Sequence, residues 1–487
     1  MTHSNHIVHK VFVEVNTANE ETAYSFKDNI STFLKENIFP CVEKLLEKYD
    51  KGQILRYDKI NLELNVKDWG NPEVIVFALE KQLSEKLKNT GDLTSEGAAV
   101  NYPPKQIEEE NKLESTFLFF LEHGYLPWYG KEEFIHQISL PEAWSIYLQK
   151  ATFGQALSQR LRSDHSSLNR FIYQLSSQPV ISFIAALGIF NSAGEELLNS
   201  HIHKLSRRHK TLLLRYLLKA ALFTEKESWI QDFYQLYRFR AQTKKGSKNT
   251  VALDIADIKD LLDETLNPEA KERIFLKPER EFLKTKGFDA YPKARSKISA
   301  DYTSLEIVDT KNEDAPFLGR HEDEIYVRNA GLILIHPFIK AFFKNTKFLD
   351  STGNIKSDCL FQAVQALHYL ATGIDEYFEA NLLLEKYLCG VSLKTPIPRE
   401  SLIDGKIKTE GEVLLNEVIK NWPALKNTKP DGLRQMFIHR DGKLIKTKDG
   451  YKLIVERKAQ DVLLDKLPWG ISLVKLPWKD ELLFVEW

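Results

Sequence analysis

KLIKTKDGYKLIVE (residues 443–456) is the stretch on which the fold class turns. Asp449-Gly450 sits between two runs rich in Leu, Ile and Val. That dipeptide accepts the positive φ angles of a tight turn, so the segment reads as a β-hairpin. Just downstream, ELLFVEW (481–487) reads as a closing strand. Upstream the period changes. Leu360, Val364, Leu367 and Ala371 form a helical stripe, and Leu382, Leu383 and Leu388 continue an apolar helical segment. Helices that end in a hairpin and a strand make an α+β region, predominantly α-helical, with expected limits 326–487.

Further upstream, residues 111–240 carry Leu, Ile and Phe at three- and four-residue spacing, broken by Pro127, Pro141 and Pro179. Short broken helices without a fixed repeat predict a compact helical array. Residues 241–325 open with KKGSKNT and continue as charged helical fragments closed by Pro316 and Gly319, which predicts a flexible or extended connection. Residues 90–110 are polar with a Pro pair and read as a linker. Residues 1–90 read as a β-α-β-α unit. Ile7, Val11, Val13 and Val15 share one strand parity, and Thr17 and Glu20 have capping-box spacing. Ile60, Leu62, Leu64 and Val66 alternate as a second strand, and Pro72 suits the first turn of a helix through Leu83 and Leu87. Two strands alone make a marginal sheet, so this unit is expected to need further strands or a partner subunit.

Bulk properties narrow the function. The chain has 487 residues, 43% hydrophobic and 28% charged, which fits a globular protein of two to four domains. Lys plus Arg number 67 against 68 for Asp plus Glu, a net charge of −1. The basic excess of a nucleic-acid binder is missing. The opening MTHSNHIVHKVFVEV lacks a signal-peptide pattern, and the runs VISFIAALGIF and GLILIHPFIKAFF fall short of a span of about 20 residues. Membrane insertion is therefore not expected. Cys41, Cys359 and Cys389 are too scattered for a disulfide framework or zinc knuckle, which suits synthesis in the cytoplasm.

Catalytic patterns are not found. There is no phosphate loop, dinucleotide fingerprint or nucleophile elbow. His439-Arg440-Asp441 matches a fragment of a kinase catalytic loop, but Lys446 stands where that loop needs a metal-binding Asn. It reads as a turn into the hairpin. His201 and His203 would splay from one helix, and with His209 they make surface histidines rather than a metal set. Asp164, His165 and Ser166 are adjacent in sequence, whereas a triad needs convergence in space. The sequence thus predicts no enzyme, no cofactor and no metal.

The tail is rich in tryptophan. Leu467-Pro468-Trp469 is echoed by Leu476-Pro477-Trp478, and a third copy, Leu126-Pro127-Trp128, lies far upstream. Proline ends an element and turns the chain, and the indole then covers a large apolar area. These tryptophans either lock the core or form a docking surface, and the two roles are compatible.

On these residues the chain resembles the contractile injection system tape measure proteins. The segments are EHGYLPW (122–128), NAGLILIHPF (329–338, with Asn329, Gly331 and Pro337), HYLATG (368–373) and LLLEKYLCG (382–390). WPALKNTKPDGLRQMFIHRDGKL (422–444) follows, opening on Trp422-Pro423. The last is DVLLDKLPWGISLVKLPWKDELLFVEW (461–487), closing on Trp487. His336 stands where relatives often carry Trp. The resemblance implies a structural, non-catalytic part of a phage-tail-like particle that delivers toxins. Its expected partners are tail-tube, baseplate or other particle subunits and further copies of itself. An adaptor or chaperone that loads toxin cargo is the alternative. A literal ruler of one helix would reach about 730 Å, which strands, 18 Pro and 22 Gly rule out here.

Overall fold

Capping chemistry places the helix starts. Asp164 accepts the Ser166 and Ser167 N–H groups at 3.0 and 2.8 Å, and Asp404 accepts that of Ile407 at 2.9 Å. Asn267 and Ser206 cap their helices in the same way. The computed structural model describes residues 32–49, 53–54, 62–64, 71–88, 107–108, 112–127, 130–238, 255–284, 324–425, 427–447 and 450–487. The chain divides into two units, Met1–Lys112 and Leu113–Trp487.

In the first unit, helices Phe39–Tyr49 and Pro72–Lys88 pack through Cys41, Leu45, Ile75, Leu79, Leu83 and Leu87. Pro72 opens its helix, as expected from the sequence. The β-α-β-α order is corrected. Strand β1 (Gln53–Ile54) pairs antiparallel with β2 (Ile107–Glu108), from the stretch read as a linker. Residues 62–64 lie in no described strand; Leu62 and Leu64 instead pack on the two-helix core. Alternation marks one apolar face but does not choose a strand partner. The first expected strand, residues 7–15, lies outside the described residues.

The second unit contains two apolar cores. The helical array runs from Lys112–His123 to Lys277–Lys284. Phe117, Trp144, Phe153, Phe171 and Phe183 form an aromatic cluster, with Phe117 and Trp144 ring centroids 5.8 Å apart edge to face. Helix Arg207–Leu222 passes through the middle with Leu213, Tyr216 and Leu217 fully buried. Residues 255–284, inside the stretch read as charged helical fragments of an extended connection, are largely helical and pack on the array. Leu261, Leu262, Ile274 and Phe275 join the array's core, and the Tyr216 hydroxyl donates to the Ile274 carbonyl. Their three- and four-residue spacing outweighs the charges, which sit on the opposite faces.

The C-terminal lobe surrounds a mixed five-stranded sheet. Its order is β3 (Glu324–Val327), β4 (Gly442–Thr447), β5 (Gly450–Val455), β7 (Leu482–Glu486) and β6 (Leu473–Val474). The hairpin pairs Leu444 with Leu453, and the closing strand β7 runs parallel to β5. Ile325, Val327, Leu444, Leu453, Val455, Val474 and Leu483 face a core built with helices His336–Asn345, Leu360–Thr372 and Gly405–Asn421. The run NAGLILI forms a buried 3-10 turn, Ala330–Ile335.

Candidate functional site

Three ionisable side chains meet with no exposure to solvent where the helical array joins the lobe. Arg170 comes from helix His165–Gln174, Glu379 from the turn Glu379–Asn381 and Lys386 from helix Leu383–Leu388. One oxygen of Glu379 accepts from Arg170 Nε at 3.1 Å and from Lys386 Nζ at 2.7 Å. Arg170 also donates to the carbonyls of Leu121 and Lys394. Burial pulls the Lys386 ammonium down to about 8, against the pull of Glu379 in the other direction. Charges out of water persist only when paired and hydrogen-bonded, so the cluster fixes the two bodies in one register. Gly124, at φ +77, gives it room: a Cβ there would lie 2.8 Å from Arg170 and 2.9 Å from Glu379.

A second polar knot lies inside the lobe. Asn329, at φ 57, donates to Glu385 at 2.9 Å, and His368 Nδ1 stands 3.5 Å from the same oxygen. Gly331 touches the segment ahead of the hairpin so closely that a Cβ would fall 1.8 Å from the Phe437 carbonyl oxygen. Pro337 sits in the first turn of its helix.

The half-buried tail tryptophans pack against the lobe's core and anchor its segments. Trp469 donates its indole N–H to the Leu334 carbonyl at 2.8 Å, and Trp478 donates to that of Leu388 at 2.8 Å. Trp487 donates to Asp461 at 3.0 Å. Trp422 is fully buried against Phe437, and Pro423 opens the turn after it. Leu467 packs on the core beside the buried Leu476, and Pro468 and Pro477 precede the two anchored indoles. Upstream, Leu126 and the buried Pro127 belong to the helical array, so the third copy is separate from the tail pair. Trp128 lies outside the described residues.

The catalytic-looking residues have structural tasks. Arg440 is buried, donates to Asp461 at 2.9 Å and lies over the Phe437 ring. Its own carbonyl accepts from Ala330 N–H at 2.8 Å. Burial and the nearby charges of His368 and Arg328 hold the His439 imidazole below its usual range. Asp164 is the helix cap named above. Among the described residues, no group of three or more His, Cys, Asp or Glu is placed to hold a metal ion. No described helix is long and apolar enough to cross a membrane.

Segments from six separate motifs thus interlock in one folded body. The sequence profile of the contractile injection system tape measure proteins matches residues 5–487. The chain belongs to that family. Comparison with curated proteins and with solved structures returns no match. Membership makes this tape measure protein a structural component that associates with other injection-system subunits. Sequence reasoning missed the residues that join the two bodies: Arg170, Gln174, Glu379 and Lys386. One signal was available. Glu385-Lys386 interrupts LLLEKYL, and a charged pair flanked by apolar residues on both sides is poorly placed for solvent.

Proposed function

We propose that the chain is a non-catalytic assembly part of a contractile injection particle. It binds tail-tube or baseplate subunits as a folded block, is made in the cytoplasm and enters the particle. The whole-length family match carries this reading. The helix lengths refine it. Described helices such as Pro72–Lys88 and Gly405–Asn421 have 17 residues, or about 26 Å each. Such a chain organises a start point for the tube rather than spanning its length. The tryptophan motifs serve as framework in this reading, since their polar edges are turned inward. Deletion of the gene, followed by electron microscopy of particles and mass spectrometry of their components, tests the proposal. Missing or malformed particles are expected, with the protein present at fixed stoichiometry in the wild type. Normal particles without it would reject the proposal, and normal particles lacking only cargo would point to the loading role instead.

A further inference from the structure

Residues 393–402, LKTPIPRESL, carry no regular secondary structure, yet Pro396, Ile397 and Pro398 are buried. Pro396 and Pro398 remove their own backbone donors and leave their carbonyls. Long side chains from both bodies read the carbonyls of the stretch. Lys386 donates to Leu393 at 3.1 Å, Gln174 to Ile397 at 2.7 Å and Arg170 to Lys394. Gln365 donates to Pro398 at 3.0 Å and to Glu400 at 3.1 Å, and its amide oxygen accepts from Leu402 N–H at 2.6 Å. Arg207 donates to Ser401 at 3.0 Å and Gln362 to Leu402 at 3.1 Å.

The donors are held in place by groups outside the stretch. Glu379 and the Leu121 carbonyl hold Arg170, Glu379 holds Lys386, and the Tyr377 hydroxyl accepts from Gln365. The Gln174 amide oxygen accepts from Glu379 N–H at 3.3 Å. Ile397 fills an apolar hole between them with no exposure to solvent. A fixed row of side-chain donors, an apolar hole and an extended, proline-bearing segment are the parts of a peptide-recognition site.

We propose that the seam between the helical array and the lobe is a peptide-binding cleft for extended segments of the Pro-x-Pro type, filled in cis by residues 393–402. Its preformed donors make the segment a docked ligand that happens to be covalently attached. In an assembly, a partner segment of the same chemistry competes for the cleft with this strap.

The test uses the full chain with protease sites inserted after Gly390 and before Asp404. After cleavage, the excised peptide of residues 391–403 is expected to co-elute with the rest of the protein on gel filtration. It is expected to exchange with a fluorescein-labelled synthetic peptide of the same sequence. A labelled peptide carrying Ile397→Asp is expected to bind at least about tenfold more weakly, because it puts an unpaired charge into the apolar hole. Varying the peptide leaves the folding of the protein untouched. Loss of the peptide from a protein that stays folded would overturn the proposal. So would unfolding on cleavage, or equal binding of the two peptides.

Discussion

The helical array and the C-terminal lobe bury comparable apolar cores, yet they satisfy their backbones in different ways. In the array, most peptide groups pair within helices, and Leu213, Leu217 and Phe233 contribute mainly area. In the lobe, much of the chain is irregular. Ala330–Ile335 and residues 389–404 accept hydrogen bonds from side chains of distant segments, and Trp469 and Trp478 of the tail supply indole donors to distant carbonyls. Area is non-directional and forgives change of shape, whereas a carbonyl read by one indole or amide does not. The lobe should therefore be the brittle part and the array the tolerant one.

Gly331→Ala is expected to break the lobe most severely. The added carbon would overlap the Phe437 carbonyl oxygen and press on the Ile438 Cα 2.7 Å away. A loss of about 4 kcal/mol or more, read from urea unfolding, is expected. Next comes Glu379→Ala, which leaves Arg170 and Lys386 buried without their shared carboxylate. About 3–5 kcal/mol should be lost in the same assay.

The pH dependence of stability sharpens the contrast further. Lys386 holds its proton to about 8 when folded, against an ordinary 10.5. Between those values the unfolded chain binds more protons, so this group makes stability rise with pH. The half-buried Cys359 thiol, the buried Cys389 thiol and the phenols of Tyr377 and Tyr387 are pushed upward by desolvation. They act in the opposite direction, because the unfolded chain loses those protons first. The difference between wild type and Lys386→Met isolates the lysine. That difference should change in favour of the wild type, by a few kcal/mol, as pH rises from about 8 to about 10.5. A flat difference would remove the buried ammonium from the account.

The smallest effects compare the two regions directly. Trp469→Phe keeps most of the apolar area but removes the donor to the Leu334 carbonyl. It should cost about 1–2 kcal/mol in urea unfolding. Leu217→Met, at a fully buried site in the array, should cost less than about 1.5 kcal/mol because volume is conserved. If the leucine change is the more damaging, the contrast between the regions fails.

These differences also explain what could be read in the sequence. The hairpin of β4 and β5, the closing strand and the stripe from Leu360 to Ala371 follow local rules and occur where expected, with Gly450 as the first residue of β5, paired with Thr447. Strands β3 and β6, of four and two residues, are too short to show a period. The destinations of the indole N–H groups are tertiary facts, since Trp469 and its acceptor lie 135 residues apart. The charge cluster was hidden for the same reason: Arg170 and Glu379 are 209 residues apart and look like ordinary surface charges one at a time.

The central claim, that the protein acts as a folded assembly block and does not gauge length by extension, meets its most direct test in an insertion series. Helix-forming segments of about 40 residues placed between residues 241 and 254 would add about 60 Å to an extended helical ruler. The account predicts particles of unchanged length by electron microscopy, with the inserted protein still incorporated. Particles that lengthen in proportion to the insert would contradict it.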